Sequence, residues 1–153
     1  MSTEHEADGR EQSDIVSLHR YFIWCDRMRV HFHQVLEEHG ADCALGSRGY
    51  IENTLYMSYW YGGLYVVVEG WRELGLSDPE VDRLLASPNV DLLRRYRNGA
   101  FHYQSDYFDS RFVDFVSEKG TAGWIRELRE ALSSFFLRWV QRRGQASSDL
   151  TET

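Results

Sequence analysis

An all-α fold, an up-and-down bundle of four main helices with short accessory helices, is what this sequence predicts, on three observations. Apolar residues recur at three- and four-residue spacing along most of the chain, only Pro79 and Pro88 interrupt them, and no internal repeat or proline-rich linker divides the pattern. At 153 residues and 42% hydrophobic content the chain is long enough for one domain to bury its own core.

Residues 1–12 and 144–153 are rich in Ser, Glu, Asp, Gln and Thr and almost devoid of apolar residues, so both read as disordered tails around a single helical domain at 13–143. The first helix is expected to open after Ser13 or Asp14, to carry Ile15, Leu18, Phe22, Cys25, Phe32 and Val35 inward, and to close at Gly40. A second runs from about Tyr50 to Leu74, with Gly75 as its C-terminal cap and Leu76 packing behind it. Its run from Leu64 to Val68 has the composition of a buried strand, but the surrounding stretch contains no breaker except Gly62-Gly63, which favours helix.

Ser77-Asp78-Pro79-Glu80 has capping-box spacing and an early proline, which predicts a short helix to about Ala86. Ser87-Pro88 restarts the pattern, and a fourth long-period segment runs from Asn89 to about Tyr103. Phe112, Val113, Phe115 and Val116 fit a short helix or a strand ending at Gly120. Thr121 then caps a final helix, where Trp124, Ile125, Leu128, Leu132, Phe135, Phe136, Trp139 and Val140 keep a regular spacing to an end near Arg143-Gly144.

A net charge of -7 excludes nucleic-acid binding by overall basicity, although a local cationic patch is compatible with it. Of the 17 basic residues only Lys119 is a lysine, so any cationic cluster would present planar guanidinium groups. Cys25 and Cys43 fit neither a Cys-x-x-Cys motif nor a disulfide framework, which suggests reduced thiols. The polar N-terminus lacks the apolar stretch of a signal peptide and no run reaches membrane-span length, so a cytoplasmic location without membrane contact is expected.

The segment that carries chemistry is Leu92-Leu93-Arg94-Arg95-Tyr96-Arg97-Asn98-Gly99-Ala100-Phe101-His102. Composition allows only about 0.01 chance matches to Arg-Asn-x-x-x-His in a chain of this make-up. On an ideal helix Asn98 and His102 lie about 40° apart, whereas Arg97 stands about 140° from His102. Joint action of the two therefore needs a long reach, local unwinding at Gly99 or a partner helix that completes the site.

This string resembles the signature of the HEPN family, the higher eukaryotes and prokaryotes nucleotide-binding domains: an arginine followed by a polar residue, then a histidine four to six residues on. The resemblance implies a metal-independent endoribonuclease without a cofactor, commonly a homodimer with two motifs facing one cleft, and often the toxin or effector of a toxin-antitoxin or antiviral defence system. RNA, a second copy and an antitoxin protein are the partners it implies. Carried over, His102 would exchange a proton with a ribose 2′-hydroxyl or leaving oxygen, as an imidazole titrating near about 6.5 can do. Arg97 would stabilise charge on the phosphate and Asn98 would orient the histidine or a phosphate oxygen, with Arg94 and Arg95 holding substrate. Some members carry a tyrosine two residues after the histidine that a partner nucleotidyltransferase modifies. Gln104 occupies that position here and Tyr103 comes one residue early, which argues against such control.

The same residues admit other readings. Glu69, in an apolar stretch, is a natural partner for Arg97, either holding it in place behind the site or forming a purely structural pair. Many HEPN-like modules bind RNA, a nucleotide or a protein without catalysis, and a structural dimer is a third possibility. Tyr56, Tyr59, Trp60, Tyr61 and Tyr65 suit a dimer interface better than base stacking. His31 and His33 point about 200° apart on a helix, so no metal site is expected from them. Arginines 83, 94, 95 and 97 would need to share one cleft for an acidic chain to hold RNA there.

Overall fold

The computed structural model describes residues 2–149, and these form six helices with no strand among them. In chain order they are α1 (Ser2–His39), α2 (Arg48–Glu73), α3 (Pro79–Leu85), α4 (Asn89–Phe101), α5 (Ser110–Ser117) and α6 (Thr121–Asp149). The all-α bundle is as the sequence predicts. No helix is long and apolar enough to cross a membrane among the described residues.

Helical backbone continues through residues 2–12 and 144–149, past the 13–143 limits drawn from composition. The apolar pattern marks where burial stops, whereas a helix of good formers with no proline or cap can propagate further into solvent. Met1 and residues 150–153, the outermost parts of the two expected tails, lie outside the described residues.

Local chemistry explains most helix ends. Gly40, at φ 75°, donates to Leu36 O at 2.8 Å and closes α1. Ser47 caps α2 by accepting from Tyr50 N–H at 3.2 Å. At its other end Gly75, at φ 63°, donates to Arg72 O while Leu76 donates to Trp71 O, both at 3.1 Å, which is the pairing of a Schellman motif. The α3 cap is Asp78 rather than Ser77, its carboxylate accepting from Glu80 and Val81 N–H, and Asp82 reaches back to Asp78 N–H. Asp109 caps α5 and settles the undecided segment as helix. Thr121 does not cap α6. Its buried hydroxyl donates to the carbonyls of Phe115 and Glu118, tying α5 to α6.

Packing follows two seams. Helix α1 lies along α2, where Gly63 meets Cys25 and Gly70 meets Leu18. Each pair is spaced by seven residues in opposite chain directions, so the absence of Cβ atoms at both glycines sets how closely the antiparallel helices approach. Helix α4 packs on the other side of α2, α5 covers α4, and α3 rests on α6. Leu64, Val67, Leu93, Ile125, Leu128 and Leu132 are fully excluded from solvent at the centre. Trp124 closes the α3 side by donating its indole N–H to Leu84 O at 3.1 Å.

An ionic clamp fastens α1 to α6. Asp26 accepts from Arg29 at 2.6 and 3.2 Å and from Arg129 at 2.8 and 3.1 Å. Burial alone would push its carboxyl group up, but the two guanidinium groups outweigh that and hold it at about 2. Cys25, beside it, is raised to about 12 by burial and then by the Asp26 charge, so its thiol is an inert part of the core.

Candidate functional site

Helix α4 runs between two chemically different surroundings, and the motif residues divide between them. On the α2 side, Arg97 forms an ion pair with Glu69 and lies over the Tyr65 ring, its guanidinium carbon 5.1 Å from the ring centroid. Its side chain is only 22% exposed, and its buried Nε has no hydrogen-bond partner among the described residues. Burial, and next the Glu69 carboxylate, pushes the Tyr65 phenol up, which keeps that ring neutral beneath the guanidinium.

At the C-terminal end the helix stops one residue short of the expected site. His102 is the C-cap, with φ -123° and ψ 131°, and only its backbone N–H returns to the helix, donating to Asn98 O at 3.1 Å. The sequence expectation that Asn98 and His102 share a helical face is therefore corrected: Gly99 stays helical and buried, and the unwinding falls at His102 itself. Its imidazole is exposed and makes no hydrogen bond among the described residues. Asn98 is half-buried and its side chain is likewise without a hydrogen bond among the described residues.

His102 lines an open groove of about 680 Å³ formed by the first half of α2, the end of α4, the following loop and α5. Tyr96 and Ser58 form its floor, their hydroxyl groups 3.1 Å apart, and burial raises the Tyr96 phenol to about 12. Tyr59, Phe101, Tyr103, Tyr107 and Phe108 stand on its walls with between 45% and 93% of their surface exposed. Neither Arg97 nor Asn98 lines it.

The loop wall is braced from behind. Gln104 donates to His102 O at 2.8 Å and accepts from Arg111 at 2.6 Å, while Arg111 also binds the Asp109 carboxylate. Gln104 thus has a structural task of holding the His102 backbone.

The expected arginine cleft is not formed within one chain. Arg94 pairs with Asp91, Arg95 with Asp114 and Ser110 on α5, and Arg83 with Glu80 and Glu127. With Arg97 on Glu69, the four arginines are paired with five different carboxylates and no two of them share one. The aromatic run of α2 also divides. Trp60, Tyr61 and Tyr65 are core residues at 3%, 7% and 4% exposure, which removes them from any interface, whereas Tyr59 is 51% exposed.

His31 stacks on Tyr56 and His33 packs against Phe32 and Trp60, so both histidines serve the α1–α2 contact. No group of three or more His, Cys, Asp or Glu side chains is placed to hold a metal ion among the described residues. Sequence reasoning missed Tyr103, Tyr107 and Phe108 as site residues. The available signal was a high density of aromatics in the non-periodic stretch 103–109, where no helical face requires them.

Comparison of the chain with protein-family models, curated proteins and solved structures returns no match in any of the three.

Proposed function

We propose that this protein is a HEPN-like, metal-independent endoribonuclease whose working site is completed by a second copy of the chain. The observation that carries this reading is His102: an exposed imidazole without an internal partner among the described residues, lining an open groove, four residues after Asn98 of the Arg97-Asn98 pair. A histidine serving only the fold is normally buried or hydrogen-bonded, as His31 and His33 are packed here.

His102 accepts the proton of a ribose 2′-hydroxyl, the freed oxygen attacks the adjacent phosphorus to form a 2′,3′-cyclic phosphate, and the bond from phosphorus to the 5′-oxygen breaks as the proton held by His102 passes to that leaving oxygen. Arg97 stabilises the charge that builds on the phosphoryl oxygens, and Glu69 and Tyr65 keep its guanidinium in one orientation until substrate arrives. Because Arg97 does not line the His102 groove of its own chain, the two act together when the Arg97 of one copy meets the His102 of the other. A cytoplasmic role as the toxin or effector of a toxin-antitoxin or defence pair accords with this activity.

A second reading is favoured by the neutralised arginines: a catalytically silent module that binds RNA, a nucleotide or a protein through the same groove. One experiment separates them. A mixed RNA pool is incubated with EDTA and the native protein, His102→Ala, Arg97→Ala, or an equimolar mixture of the two variants. Cleavage by the native protein, loss of about a hundredfold or more in each variant, and partial recovery in the mixture, where one intact composite site can form, are the expected results. No cleavage by the native protein, with RNA still bound, supports the silent module. Cleavage that survives both substitutions refutes the assignment of these residues.

A further inference from the structure

The groove beside His102 is built for a flat, uncharged group. Its lining contains no Arg or Lys, and its ionisable members besides tyrosines are His102 and Asp106 alone. A phosphate deep inside it would meet no arginine or lysine and one carboxylate, which is unfavourable at close range, and His102 is the single lining group that can carry positive charge. The volume, aromatic walls and mainly apolar surface of the groove are those of a small-ligand pocket rather than of a backbone track.

Two of the walls are set rigidly. The Phe101 ring lies directly against the backbone of Gly62, where a Cβ would come within 2.5 Å of its Cε2 atom, and Tyr59 meets it edge-on at 5.8 Å between centroids. Phe112 is seated in the same way against Gly99 on the floor side. Tyr59 and Phe101 nevertheless keep 51% and 45% of their surface open to solvent. They are thus an ordered aromatic pair with unused faces, and both line the same groove as His102, which directly follows Phe101 in the chain.

We infer that this groove holds an unpaired nucleobase of single-stranded RNA, stacked on Tyr59 and Phe101, with its sugar-phosphate backbone outside the groove at His102. The inference rests on the RNA reading above and specifies its substrate: a base inside a duplex keeps both faces covered by its neighbours and cannot enter, so single strands, loops and bulges are the targets. Recognition by stacking tolerates any base, and whatever selectivity exists comes from the polar groups of the lining, Thr54, Ser58 and Asp106 among them.

The test measures binding of the full-length native protein to a short single-stranded 2′-O-methyl RNA, which has no reactive 2′-hydroxyl. The same sequence as a duplex, and the same backbone with abasic positions, serve as controls. Tyr59→Ala and Phe101→Leu are compared with the native protein, with folding followed by circular dichroism and oligomeric state by sedimentation. The expected result is preference for the single strand over both controls and a loss of about fivefold or more in affinity for each variant, the effect of losing roughly one stacking contact. Tyr59→Ala keeps the test valid should Phe101→Leu disturb the fold, because the tyrosine is half exposed. Native affinity in both variants, with RNA cleavage intact, overturns the nucleobase slot and leaves the ribonuclease reading standing. No binding or cleavage of any RNA by the native protein overturns both. Loss of self-association in the variants, without a preference of the native protein for single strands, assigns the groove to contact between copies and overturns the slot.

Discussion

Two aromatic assemblies lie side by side along α2 and differ in what each does with the same residue types. Tyr61, Tyr96 and Phe115 meet edge to face at 5.2 to 5.7 Å between centroids and are almost wholly buried. Tyr59, Phe101 and Tyr107 keep about half of their surface exposed around the groove. Tyr59 and Tyr61 are two residues apart on one helix and therefore project about 200° apart, one toward solvent and one toward the core. The comparison teaches that aromatic content sets how much apolar surface is available, whereas helical register and the element opposite decide whether it stabilises the fold or stays open for a ligand.

If that division is right, the two regions respond unequally to substitution. The largest effect is expected in the closed region: Leu132→Ala, at a position with no solvent exposure, should cost about 2–5 kcal/mol in urea unfolding through lost burial and a residual cavity. A cost below about 1 kcal/mol would show that the centre of the bundle is loosely packed and would erase the contrast.

The clamp at the edge of the core gives a pH signature of intermediate size. Asp26 has its carboxyl group at about 2 in the folded chain, below the ordinary 3.8, so its contribution is present above about pH 4 and is lost as pH falls toward about 2. Asp26→Asn should lower stability at neutral pH by about 2 kcal/mol and flatten that acid-side slope, both readable from urea curves across the range. An unchanged slope in the variant would assign the acid sensitivity to other carboxylates.

Gly62 joins the two regions, since it belongs to the buried helix yet supports the groove wall. Gly62→Ala should destabilise by about 1–3 kcal/mol through the clash with Phe101, less any helix-propensity gain from alanine. Adding Phe101→Leu should recover part of that loss, and purely additive costs in the double-mutant cycle would show that the two side chains are not coupled. The smallest effect belongs to the open region: Tyr59→Ala should change the thermal midpoint by no more than about 0.5 kcal/mol corresponds to, because the ring is half solvated already. A larger loss would make the groove wall part of the core.

Much of the fold was legible along the chain because burial imposes a period. Most core positions of the first and last helices, Gly40 and Gly75 as stops, and Pro79 as the start of the third helix follow from local rules and are in place, whereas Phe32 and Trp139 are only partly buried and Val140 stays exposed. Helix ends without such punctuation were not legible, which is why α1 and α6 run past the limits that composition suggested. The short α5 was ambiguous because four apolar residues in five fit either period, and it was the Asp109 cap that decided it.

For the site, the sequence by itself determined its inventory: an Arg97-Asn98 pair, His102 and Glu69 close enough in type to pair with an arginine. It fixed these because residue identity and spacing are properties of the chain. Tertiary structure alone decided their arrangement. It stopped α4 at Phe101 and turned His102 outward, placed Arg97 on Glu69 and Tyr65, gave each neighbouring arginine a separate carboxylate, and gathered aromatics from three helices and a loop into one groove. The physical reason is that charge pairing and ring packing depend on which groups from distant parts of the chain stand opposite one another, and no spacing within α4 contains that information.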